Sequence, residues 1–82
     1  MFEKFFHKRI QKDISKLEDA RKRCLVVLQT KGLSENEISQ VDGIAYKKAS
    51  IEYVKNPDIN PTVKLYLQTV INEALKLGYD VR

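Results

Sequence analysis

Two breaks divide this chain of 82 residues into three stretches, and the reading of its fold follows from where they fall. The first is Lys31-Gly32-Leu33-Ser34. Gly32 can take the left-handed conformation that ends a helix, and Lys31 suits the negative end of the helix dipole. Ser34-Glu35-Asn36-Glu37 then has the capping-box pattern, in which Ser34 accepts from the Glu37 amide and the Glu37 side chain reaches back to the Ser34 amide. The second break is Asn56-Pro57-Asp58-Ile59-Asn60-Pro61. Each proline disfavours helix in the residue before it, so Asn60 and Pro61 read as N-cap and N1 of a third helix. Gly78 closes that helix.

Between the breaks, apolar residues recur with helical period. Helix 1, from about Glu3 to Thr30, places Phe2, Phe6, Ile10, Ile14, Leu17, Ala20, Cys24 and Leu28 in one stripe. Helix 2, from about Glu35 to Lys55, has a narrow stripe of mostly small residues (Ile38, Val41, Ala45, Ala49) and a second strip at Ile44, Ile51 and Val54. Its Gly43 costs roughly 1 kcal/mol relative to alanine. Helix 3, from about Pro61 to Leu77, gathers Val63, Tyr66, Leu67, Val70, Ala74 and Leu77 on one face, with Ile71 at the edge. No stretch alternates with period two. The expectation is an all-α fold: an antiparallel three-helix bundle with a long first helix, forming one helical domain over residues 1–82. Its core is thin, because a chain this short buries only roughly 60–65% of its unfolded surface.

The helix lengths are unequal. At 1.5 Å per residue helix 1 would extend about 42 Å, and its companions about 25–32 Å. Folded back from Gly32, they leave roughly the first eight to ten residues of helix 1 overhanging. That overhang holds Phe2, Phe5, Phe6 and Ile10, and exposed aromatics on a protruding helix mark a contact surface. Each phenylalanine buried there would contribute roughly 1.5–3 kcal/mol. Self-association as a dimer is therefore expected, through Phe2, Phe5, Phe6 and Ile10 and with Ile44 and Ile51 of the second strip.

Charge is segregated along the chain. The net charge is +4, and residues 1–31 hold nine Lys/Arg against four Asp/Glu, so the excess belongs to helix 1. Lys4, Lys8, Lys12 and Lys16 recur at every fourth position, with Lys22 and Arg23 further along the same general side. Like charges at this spacing repel by a few tenths of a kcal/mol per pair, and Glu3, Asp13 and Asp19 offset only part of that. A polyanion such as nucleic-acid phosphate would relieve the repulsion, although a solvated helical face has the same composition. Groove reading by a helix-turn-helix is not favoured, because helix 3 carries only Lys64 and Lys76. Tyr46, Tyr53, Tyr66 and Tyr79 read as core or interface residues rather than base-stacking platforms. A membrane-surface role for residues 1–17 is disfavoured too, since the apolar stripe runs on without interruption to Leu28.

The residues offer little for catalysis. One histidine and one cysteine, His7 and Cys24, lie 17 positions apart and form neither a nucleophile–base set nor a metal site. No glycine-rich phosphate loop occurs. Cys24 reads as a buried small hydrophobe, and Asp42 with Glu52 as a charged surface pair. No cofactor and no metal are expected. An unpaired cysteine and the lack of an export signal suggest the cytoplasm.

Leu17-Glu18-Asp19-Ala20-Arg21, then Leu25 and Lys31-Gly32-Leu33, followed by Ser39-Gln40-Val41-Asp42, together resemble the helical hairpin of the small phosphatases that dephosphorylate response-regulator aspartates in the sporulation phosphorelay. The second helix of that family carries Ser-Gln-x-Leu-Asp, one residue longer than the segment here, and the shortening turns Asp42 by about 100° relative to Ser39. The resemblance spans about a third of the chain, omits the third helix, and implies a phosphatase acting through Gln40 and Asp42. The residues themselves favour a small non-enzymatic binding protein (a regulator, inhibitor or adaptor) that works through protein–protein contacts with an unidentified partner. A non-sequence-specific nucleic-acid binder is the first alternative and the phosphatase the second.

Overall fold

The computed structural model describes residues 2–82, with side chains described from Arg9 onward. Three helices make up the fold, α1 (Phe2–Thr30), α2 (Glu35–Lys55) and α3 (Ile59–Lys76), and there is no strand among the described residues.

The first turn forms as its sequence dictates. Gly32 takes φ +95°. The Leu33 amide then donates to Leu28 O at 3.1 Å and the Gly32 amide to Gln29 O at 3.1 Å. This is the Schellman arrangement, and Leu28 and Leu33 bury the apolar contact that accompanies it. Both capping-box bonds are present, Glu37 N to Ser34 Oγ at 3.2 Å and Ser34 N to Glu37 Oε1 at 2.9 Å. The same backbone geometry ends α3 at Gly78, where the Tyr79 amide donates to Ala74 O at 2.9 Å.

The second turn corrects the sequence reading. Helix α3 begins at Ile59, two residues before Pro61, and its N-cap is Asp58, whose carboxylate accepts from the Asn60 amide at 3.1 Å. Pro61 is thus the third residue of the first turn. Amides there have no partner within the helix, so the missing N–H loses nothing. The earlier start also brings Ile59 into the core.

The core is built chiefly by Leu17, Ala20 and Leu28 of α1, Ile38, Val41, Ala45 and Ala49 of α2, and Tyr66, Val70 and Ala74 of α3. The small-residue stripe of α2 is fully buried, and α2 and α3 share the most extensive packing of any helix pair. Helix α1 lies mainly on α3 and touches α2 least. The face of α3 is rotated from the one expected. Thr62 and Thr69 are buried, while Leu67 stands at the exposed edge. Each threonine hydroxyl donates to the carbonyl four residues back, Asp58 O at 2.8 Å and Leu65 O at 2.7 Å, so its burial strands no polar group. On α1, Ile10 and Ile14 were expected in the buried stripe but are 40% and 53% exposed, and the space opposite Ile14 is an open cleft.

Two substitutions on α2 report on this packing. A methyl group at Gly43 would meet nothing within 4 Å. Gly43→Ala is expected to raise unfolding free energy by about 0.5–1 kcal/mol. Ala45 has no exposed surface, and Ala45→Leu should lower it by about 1–3 kcal/mol through overpacking. Urea denaturation followed by circular dichroism measures both.

Candidate functional site

Because α1 touches α2 least, an open seam runs between those two helices, and the candidate site lies along it. Two clefts mark the seam. The upper one, about 300 Å³, is lined by Glu18, Arg21, Cys24, Leu25, Ser39 and Asp42 among others. The lower one, about 180 Å³, is walled by Ile14, Leu17, Tyr46, Tyr53, Val54 and Ile59, with Asp13 and Thr62 also in its lining.

The floor of the upper cleft is an ionic node joining all three helices. Arg21 of α1 donates from Nε to Asp42 Oδ1 at 3.1 Å and from Nη2 to Asp42 Oδ2 at 2.8 Å, a two-pronged bond to α2. Tyr66 of α3 donates its hydroxyl to the same Oδ1 at 2.5 Å. Arg21 also donates to Glu18 at 2.8 Å and lies 4.2 Å from the Tyr46 ring centroid, where the ring face attracts it. Asp42 is therefore no surface partner of Glu52; it is the acceptor on which the three helices converge.

These contacts set the titration of the node. Arg21 holds the Asp42 carboxyl below the usual carboxylate range, with the Tyr66 bond adding to the effect against opposing burial. Burial, and then the bond to Asp42, push the Tyr66 phenol well above its ordinary value. The Cys24 thiol beside the node is half-buried rather than fully buried as expected. Burial raises its pKa, and the Asp42 charge adds to this. A thiol held protonated is a poor nucleophile.

A second tie crosses the seam lower down. Tyr53 of α2 donates to Asp13 Oδ2 at 2.5 Å, and that bond raises the Tyr53 phenol. Asp13 is only 8% exposed. It does not offset the lysine ladder at the surface, as its place in the sequence suggested, because it faces inward. One turn earlier, Arg9 donates to Pro57 O at 3.1 Å.

The residues singled out from sequence do not form one surface. Ile10 is exposed on α1, Ile51 is 49% exposed on α2, and Ile44 is half-buried. At 100° per residue, Ile44 and Ile51 lie about 140–180° around α2 from Tyr46 and Tyr53, on the flank away from the seam. Phe2, Phe5 and Phe6, with Lys4 and Lys8, fall outside the residues whose side chains are described. Lys12, Lys16, Lys22 and Arg23 are exposed, and none forms an ion pair among the described residues. Ser39 and Asp42 line the upper cleft but Gln40 does not, and both Asp42 oxygens already accept bonds. The residues whose place in the seam is missed from sequence are Arg21, Asp13 and Tyr53, whereas Val54 already stands in the second apolar strip of α2. The only available signal was that Asp13, Leu17, Arg21 and Cys24 recur at helical spacing within the α1 stripe.

Comparison with protein-family models, with curated proteins and with solved structures found no match to this chain. Among the described residues no helix is long and apolar enough to cross a membrane.

The node predicts a pH dependence. A carboxyl whose pKa is lower folded than unfolded stabilises fully above its ordinary value, about 4, and loses that effect as pH falls through the folded value. A phenol whose pKa is raised stabilises fully below about 10 and loses the effect as pH rises beyond it. Asp42→Asn should cost about 1.5–3 kcal/mol at neutral pH, the worth of hydrogen bonds to a charged group. Urea midpoints of the two proteins should converge as pH drops below about 4. A gap of unchanged size at pH about 2.5 would contradict this account of Asp42.

Proposed function

We propose that the chain is a small non-enzymatic binding protein, a regulator, inhibitor or adaptor of the cytoplasm, which works through protein–protein contacts and associates with itself as a dimer. The observation that carries this reading is the apolar surface left uncovered along the seam. Ile14, Tyr46 and Val54 are exposed there, Val54 to 83%, around a cleft whose lining is almost wholly apolar. A contiguous apolar surface on so small a protein is a place for a partner. By sequence spacing the same α1 stripe continues through Phe6 and Phe2, so it extends past Arg9, the most N-terminal described residue bonded across to the α2–α3 turn. We read the bundle as antiparallel with α1 its longest member. The pairs Arg21–Asp42 and Asp13–Tyr53, and Asp42–Tyr66 and Glu37–Tyr79, support this, since one number rises as the other falls.

Sedimentation equilibrium tests the reading. A dimer at micromolar concentration is expected, with Ile14→Glu or Phe6→Ala raising its dissociation constant about tenfold or more, as for residues central to an interface. A monomer at every concentration would remove self-association.

The unpaired cations favour a second reading. Lys12, Lys16 and Arg23 lie on one side of α1, and a solvated row of this kind suits the phosphates of a nucleic acid bound without sequence preference. A DNA and RNA mobility-shift assay across a salt series decides it. Binding should weaken steeply with salt and fall with Lys12→Glu and Lys16→Glu, and no shift at low salt ends this reading.

A further inference from the structure

The lower cleft of the seam holds a carboxylate that pairs with no cation among the described residues. Asp13 is the most buried of the charged side chains described, and its carboxylate stands in the wall of an otherwise apolar cleft. Its Oδ2 accepts the Tyr53 hydroxyl, whereas Oδ1 accepts no hydrogen bond among the described residues. No Lys or Arg nitrogen lies within 4.0 Å of it among those residues, although the chain carries 15 such groups. The nearest in sequence are engaged or turned elsewhere. Lys12 and Lys16 are exposed, and Arg9, one turn away, bonds Pro57 O. Oδ1 is not sealed from solvent, so it stands open to a further donor, and a cation there completes a carboxylate that one neutral hydroxyl only half engages.

The cleft specifies which cation. Its walls at Ile14, Val54 and Ile59 suit an apolar stem, and the Tyr46 and Tyr53 rings suit a positive head. Arg21 already lies over the Tyr46 ring, 4.2 Å from its centroid. The cleft encloses only about 180 Å³, and an ammonium is the more compact of the two cationic heads. We propose that this cleft receives a lysine side chain of a protein partner, its methylenes along the apolar wall and its ammonium on Asp13 Oδ1. The proposal rests on reading the seam as a protein-binding surface and names the chemistry that surface selects.

The probe is n-butylammonium, a lysine side chain without its backbone, with 1-butanol as the neutral control and n-butylguanidinium as the arginine counterpart. Methyl and aromatic NMR signals of Ile14, Val54, Tyr46 and Tyr53 in the full chain are followed during each titration. Butylammonium is expected to saturate these shifts at a concentration at least tenfold below that of butanol, with butylguanidinium weaker than butylammonium. Asp13→Asn should reduce butylammonium to the level of butanol. Tyr53→Phe, which keeps the Asp13 charge, should preserve the preference for butylammonium over butanol, and its loss there would overturn the proposal even if Asp13→Asn does not fold. Equal responses to butylammonium and butanol, or a preference untouched by Asp13→Asn, would overturn the proposal. A dimer in sedimentation without ammonium preference defeats the lysine assignment and leaves the binding reading standing. Ammonium preference in a strictly monomeric protein supports the lysine assignment and removes only self-association. Dissociation of a dimer by butylammonium but not by butanol would identify the lysine as one from a second copy.

Discussion

The arrangement of α1 depends on one carboxylate. Asp42 receives Arg21 from α1 and Tyr66 from α3 while sitting on α2, so it is the point at which all three helices are referenced to one another. Hydrophobic burial is non-directional and would tolerate α1 at several rotations over the α2–α3 pair. A two-pronged guanidinium bond is not so tolerant, since its planar donors fit a carboxylate in few orientations. The Arg21 and Asp42 side chains are only partly buried, which spares the pair much of the desolvation penalty a fully interior one would carry. The node thus fixes register more than it supplies energy.

The looseness of α1 against α2 has its own cause in side-chain size. Toward α3, α2 presents Val41, Ala45 and Ala49, and Ala74 answers from the other side, so the two backbones can come close. Toward α1 it presents the rings of Tyr46 and Tyr53. Bulky rings hold the facing helix off, and the ties that cross the gap are polar: Arg21 to Asp42 and Tyr53 to Asp13. The result is a seam with charged contacts at discrete points and apolar surface between them. That combination leaves room for a ligand without leaving α1 undirected.

Much of this was legible from the residues and some was not, for identifiable reasons. The first turn could be read because a capping box and a glycine act locally, within a few residues of chain. The stripe of α2 was equally plain, since small residues at helical spacing have one use. The start of α3 was misread because proline is as acceptable at the third position of a first turn as at the first, and the burial of Ile59 chose between them. Thr62 and Thr69 are not among the residues the periodicity assigns to the apolar face of α3, yet a threonine that bonds its own helix can go inside. Asp13 and Asp42 were hardest of all. Among lysines on an amphipathic helix, a carboxylate looks like part of the solvated face. Only the register between helices reveals that Tyr53 and Arg21 meet them. The apolar and basic residues before Arg9 are plain in the sequence, and their side chains lie outside the described part of the structure.

The lone thiol has a use that follows from its address. Cys24 lies one turn beyond Arg21 and flanks two clefts, one toward α2 and the other toward α3, half-covered by its neighbours. Its alkylation is slowed by that cover and quickens when α1 lifts, so the rate of labelling follows the movement of the first helix. Anything that seals the seam would slow that clock, and the molecule carries the gauge without any added label.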